Sequence, residues 1–174
     1  MDVGVICRII KGRKNRKNSK VTQNKSLLPT FDTVSILNTE RHVRKAKTDA
    51  AAAYDSVDIT VSDEEALEPE WVPNMNVFNH SLPTVVWKGT PLLIKHLPYY
   101  ELLHPGEVYI ASTLRITPEQ YLKCRRSLIL AAKEFNKRHL QFRKSDAQKC
   151  ARIDVNKISM LWSVFNKLGW FNPH

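Results

Sequence analysis

The sequence predicts an all-α fold: a compact helical bundle with a long central helix and a C-terminal helix-turn-helix, preceded by a largely disordered N-terminal half. Three observations carry this. Residues 117–120, Thr-Pro-Glu-Gln, form a capping box with proline at the first helical position, and apolar residues recur behind it at helical spacing. Residues 143–171 read as two helices with a tight joint. The dense basic run at 11–20 has no apolar partner and nothing to bury, so it is expected to be disordered.

At 174 residues the chain is expected to hold one domain with a tail. Residues 1–47 carry 12 Lys/Arg against 3 Asp/Glu, residues 48–116 carry 3 against 10, and residues 117–174 carry 12 against 4. This gives three stretches: a basic tail over 1–47, an acidic linker over 48–84, and a helical domain over 85–174. A basic–acidic–basic chain offers two separate places for a polyanion and suits a nucleic-acid or chromatin setting. The basic run fits either a nuclear localisation signal or a phosphate-binding arm.

In the linker, residues 50–53 suit one turn of helix, and Ser62 with Glu65 has capping-box spacing until Pro69 and Pro73 interrupt it. Trp71, Val72, Met75, Val77 and Phe78 then read either as a peptide that docks in a partner's groove or as a segment that packs back on its own domain.

Order is expected from about Val85. Trp87 to Pro91 reads as a turn, Leu92 to Ile94 as an apolar anchor, and Pro98 to Leu103 as a short helix. His104-Pro105-Gly106-Glu107 breaks that helix, and a new one restarts from Glu107 to Leu114. His104 has no nucleophile or second base near it in sequence and is read as structural. The central helix runs from 117 to about 138, with Tyr121, Cys124, Leu128, Ala131, Ala132 and Phe135 on one face. Lys123, Arg126, Lys133 and Lys137 fall on its polar side.

Ser145 and Gln148 have capping-box spacing, which predicts a short helix at about 146–152. Asp154 suits the N-cap of the next helix, whose apolar stripe is Ile158, Leu161, Trp162, Phe165 and Leu168. Asn156, Met160, Ser163 and Lys167 face out. Gly169 suits the C-cap, with Trp170 and Phe171 returning to the core. The pair is read either as a nucleic-acid reader or as a plain helical hairpin.

Cys7, Cys124 and Cys150 have no metal-ligand spacing, and an odd count fits a reducing compartment. No cofactor and no metal are expected. The apolar start is too short for a membrane span, so no membrane partner is expected either.

The runs Trp87-Lys88-Gly89, Leu103-His104-Pro105-Gly106-Glu107, Ala111-Ser112-Thr113-Leu114-Arg115, and Tyr121-Leu122 with Arg125-Arg126 come in order. They are followed by Phe142-Arg143-Lys144-Ser145-Asp146-Ala147-Gln148, Asp154-Val155-Asn156-Lys157 and Leu168-Gly169-Trp170-Phe171. Over about 85–171 this series resembles a SWIRM domain, in particular those of short fungal SWIRM proteins associated with Clr6-type histone deacetylase complexes. The resemblance implies a helical fold and a nuclear, non-enzymatic subunit of a histone-modifying complex, with histone deacetylase subunits and DNA or nucleosomes as partners. It implies no small-molecule substrate, and the enzyme would be another chain. The alternative is a protein–protein scaffold without DNA contact.

For DNA contact, Arg143, Lys144, Lys149 and Arg152 are expected at phosphates. Asn156 and Lys157 are expected near base edges, with Lys167 on the same outward face. Met160 and Ser163 offer little discrimination between bases, which favours non-specific contact.

Overall fold

Among the described residues, 52–174, the computed structural model contains α-helices, 3-10 turns and loops, and no strand. After a helical turn at 52–55 come α1 (Asp63–Ala66), α2 (Pro105–Leu114), α3 (Pro118–Lys137), α4 (Lys144–Ala147) and α5 (Val155–Lys167). Short 3-10 segments lie at Pro69–Trp71, Met75–Asn79 and Tyr100–Leu102. The basic tail expected over 1–47, with Cys7, lies outside the described residues.

Helix α3 starts where its capping box places it. Thr117 Oγ1 accepts from the Gln120 N–H at 3.2 Å, and Gln120 Oε1 accepts from the Thr117 N–H at 3.1 Å. Tyr121, Cys124, Leu128, Ala131 and Phe135 are fully buried, and so is Ile129 outside that stripe. The helix is therefore covered on more than one side.

Helix α2 begins at Pro105, two residues before the restart expected at Glu107. His104 is its N-cap: Nδ1 accepts from the Gly106 N–H at 3.1 Å, and Glu107 Oε2 accepts from the His104 N–H at 3.0 Å. Proline fits the first turn because its missing N–H has no partner there. The His104 ring stacks on Phe78, with centroids 5.1 Å apart.

The start of the ordered domain differs from the expected boundary at 85. Between 52 and 84, Tyr54, Val57, Ile59, Leu67, Trp71 and Phe78 are all buried in the same core as α2, α3 and α5. Trp71 and Phe78 thus pack on their own domain. Carboxylates from this stretch fasten it to α3. Asp63 pairs with Arg125 and Arg126, and Glu68 pairs with Lys133 at 2.7 Å. Arg126 also donates to the carbonyls of Asp58 and Val61. Arg126 and Lys133, placed on the polar side of α3 by helical period, are the docking points of the acidic segment.

Arg125 is deeply buried between Asp63 and Glu107. Burial opposes its charge, yet the Glu107 and Asp63 carboxylates hold its pKa above the ordinary arginine value. A cleft of about 320 Å³ between residues 59–64 and α2 and α3 is lined by these ion-paired groups together with Val72, Met75 and Leu102.

Candidate nucleic-acid interface

The two C-terminal helices are built from short-range rules with one departure. Helix α4 starts at Lys144 rather than near 146, with Arg143 as its N-cap residue. Asp146, third in the helix, accepts from the Arg143 N–H at 3.2 Å, and this carboxylate displaces the Ser145–Gln148 capping box. Gln148 is left free to reach across the joint and donates from Nε2 to Ser159 Oγ at 2.8 Å.

The joint ends at Asp154. Its carboxylate accepts from the N–H groups of Asn156 at 2.9 Å and Lys157 at 3.2 Å. Helix α5 buries Ile158, Leu161, Val164 and Phe165. Trp162 and Leu168 are half-buried at the border of this stripe, and so are Met160 and Ser163, which the helical period placed facing outward. The helix closes with a Schellman motif. The Gly169 N–H donates to Asn166 O at 3.2 Å, and the Trp170 N–H donates to Phe165 O at 3.0 Å. Gly169 has φ +78, a conformation that glycine adopts without steric cost. Trp170 then buries against Phe165 and meets Phe78 edge-on.

Arg143 and Lys144 are exposed at the start of α4, where Lys144 Nζ lies 5.6 Å from the Trp162 ring centroid. Lys149 Nζ is 4.0 Å from Asp146 Oδ1. Arg152 donates to Asp55 Oδ2 at 2.7 Å, so the acidic segment already holds one expected phosphate contact. That pair is exposed on both sides, and exposed pairs are weak. Asn156 and Lys167 are exposed on the outer face of α5. Lys157 is half-buried on its flank: Nζ donates to Arg115 O at 2.8 Å and lies 5.9 Å from the Trp87 ring centroid.

Sequence reasoning passed over Trp87, Lys88 and Arg115 as parts of this surface. Arg115 is the left-handed C-cap of α2, with φ +55, and its Nη1 donates to Thr90 O at 3.2 Å. This brings the 87–90 loop, the end of α2 and the start of α5 to one place. The Asp-Val-Asn-Lys start of α5 was visible in the sequence, but its contact with a residue 42 positions earlier was not.

No group of His, Cys, Asp or Glu is placed to hold a metal ion among the described residues. Burial pushes the thiols of Cys124 and Cys150 up to about 12, Cys124 held slightly back by its contact with Tyr54. Both thiols stay protonated and unreactive.

These elements define an all-helical domain with a C-terminal helix-turn-helix. Residues 96–173 match the model of the SWIRM domain family, and this part of the chain is a SWIRM domain. The SWIRM domain-containing protein YOR338W of Saccharomyces cerevisiae is 39% identical over 105 residues, 59% of this chain and 29% of the relative. The SWIRM domain-containing protein laf1 of Schizosaccharomyces pombe is 36% identical over 121 residues, 67% of this chain and 40% of the relative. Transcriptional adapter 2 of Candida albicans is 38% identical over 80 residues, 46% of this chain and 17% of the relative. The chain thus spans less than half the length of each of these relatives. No solved structure shows significant similarity to it.

Proposed function

We propose that this protein is a non-enzymatic, chromatin-associated subunit of a histone deacetylase complex, acting in transcription regulation in the nucleus and touching DNA or nucleosomes through its helix-turn-helix. The SWIRM domain and the likeness to a transcriptional adapter support the chromatin and transcription part. The deacetylase part rests on the resemblance to short fungal SWIRM proteins.

One observation carries the DNA part. The outer face of α5, with Asn156 and Lys167 exposed, is bordered by Arg143 and Lys144, and neither cation has a carboxylate partner for its side chain among the described residues. Cations left free beside an exposed helix suit phosphate oxygens, where neutralisation releases counterions. A scaffold module without DNA contact is the second reading. Val86 and Leu93, 72% and 81% exposed, favour it as apolar contacts for another subunit.

The test is purification of the tagged full chain from nuclear extract, with nuclease treatment, followed by mass spectrometry. Recovery of a histone deacetylase and its scaffold after nuclease is expected. Loss of every partner on nuclease treatment would overturn the subunit reading.

A further inference from the structure

We propose that the DNA-facing surface has a second wall, formed by Lys88 and Arg115 of the 87–90 loop and the end of α2, which meets the phosphate strand opposite to the one met by Arg143 and Lys144. This rests on the DNA-contact reading above and extends it to residues outside the helix-turn-helix.

The first support is a charge balance. Basic side chains on α3 are paired internally: Lys123 with Glu119, Arg125 and Arg126 with Asp63, Lys133 with Glu68. Lys149 and Arg152, in the joint, face Asp146 and Asp55. Lys88, Arg115 and Lys157 have no carboxylate partner among the described residues, and they gather at one place. Lys157 Nζ is bound to the Arg115 carbonyl and sits over Trp87, the neighbour of Lys88. The cations of α3 and the joint named above are neutralised by carboxylates and these three are not, which leaves a positive surface at that place.

The second support is where that place lies around α5. At 3.6 residues per turn, the exposed Asn156 and Lys167 lie between Trp162 on one flank of α5 and Lys157 on the other. Trp162 carries Lys144 on its side, and Lys157 carries Trp87 and Arg115 on the other. A helix about 10–12 Å across fills a major groove about 12 Å wide. Positive groups on both flanks of such a helix then meet the two phosphate strands that border the groove.

The loop is held in place for this. Gly89 has φ +88, a conformation that glycine adopts without steric cost, and a Cβ there would stand 3.0 Å from Arg115 Nη1, so the loop backbone lies close against the guanidinium. Lys157, expected at base edges, instead ties α5 to the α2 terminus and positions the wall. A lysine amine on a C-terminal helix carbonyl also suits the helix dipole.

The test is fluorescence anisotropy of a mixed-sequence 30-base-pair duplex with the full chain over a range of salt concentrations. Lys88→Gln removes no hydrogen bond in the structure. It is expected to weaken binding several-fold and to reduce the slope of log affinity against log salt by about 0.9. Lys88→Gln with Arg115→Gln is expected to reduce the slope by about 1.8, with thermal melting run alongside to confirm folding. Lys137→Gln, at a cation already facing Glu68 and Glu134, is expected to change neither. If Arg143→Gln with Lys144→Gln weakens binding but the Lys88 variants bind like wild type, the second wall is overturned and the DNA reading stands. If the wild-type chain binds no duplex, the DNA reading falls and the second wall with it.

Discussion

Asp63 is the counter-ion of Arg125 across 62 residues of chain, and the same carboxylate also accepts from Arg126 Nε at 3.2 Å and Nη2 at 2.6 Å. The acidic stretch before residue 84 is fastened to the long helix by this point, with Glu107 closing the other side of Arg125. The segregation of charge along the sequence is thereby resolved partly inside the molecule. Acidic residues before α2 meet basic residues of α3.

Removing that carboxylate leaves two nearly buried guanidinium groups short of a partner. Asp63→Ala is expected to destabilise the fold by about 3–5 kcal/mol, the cost of breaking a buried pair by deleting one side. Urea unfolding of the full chain followed by circular dichroism measures it. A loss below about 1 kcal/mol would mean that the pair is effectively solvated.

Trp71 lies in the stretch that composition alone marks as a linker, yet it is buried in the core. Trp71→Ala is expected to cost about 3–5 kcal/mol, as for other buried aromatic truncations. Chemical denaturation again reads it. A tryptophan on a detached linker would leave the midpoint where it is.

Gly106 sits under Phe78, where an added Cβ would stand 2.5 Å from ring atoms Cγ and Cδ1. The Phe78 ring is itself held by His104 and Trp170 and has little room to move. Gly106→Ala is expected to destabilise by about 1–3 kcal/mol through overpacking. In a double-mutant cycle with Phe78→Leu the two changes should be strongly non-additive. Additive effects would place the clash elsewhere.

The raised thiol pKa values of Cys124 and Cys150 set a pH dependence. The unfolded chain, with thiols near 9.0, loses these protons before the folded chain, whose thiols titrate at about 12. The stability they contribute is present in full below pH 9 and is lost between 9 and 12. The slope is about 1.4 kcal/mol per pH unit for each thiol. Denaturant midpoints measured across that range should fall more steeply for wild type than for the Cys124→Ala, Cys150→Ala variant. Parallel profiles would refute it.

Local rules made much of the fold legible. The Thr117–Gln120 box, the Asp154 cap and the Gly169 terminus depend on neighbours three or four residues away, and each was placed from sequence. Ser145 failed by the same rule, because Asp146 offered a stronger acceptor to the Arg143 N–H. The packing of residues 52–84 was not legible, since it depends on pairs such as Asp63 with Arg125, 62 residues apart. The partners of Arg126, on the polar side of α3, were hidden for the same reason. At the candidate interface, Arg143, Lys144 and Lys167 are exposed as their positions on the two helices suggested. The role of Lys157 required its partner, the Arg115 carbonyl, which no spacing rule supplies.

The salt dependence of nucleosome binding by the full chain, wild type against Arg143→Gln with Lys144→Gln, tests the DNA contact most directly. Phosphate contact through these two cations predicts affinity that falls steeply with salt, and a slope about 1.8 shallower for the variant, two phosphate contacts having been removed. Binding that is insensitive to salt and unchanged by the substitutions would contradict it and leave the helix-turn-helix as a protein dock.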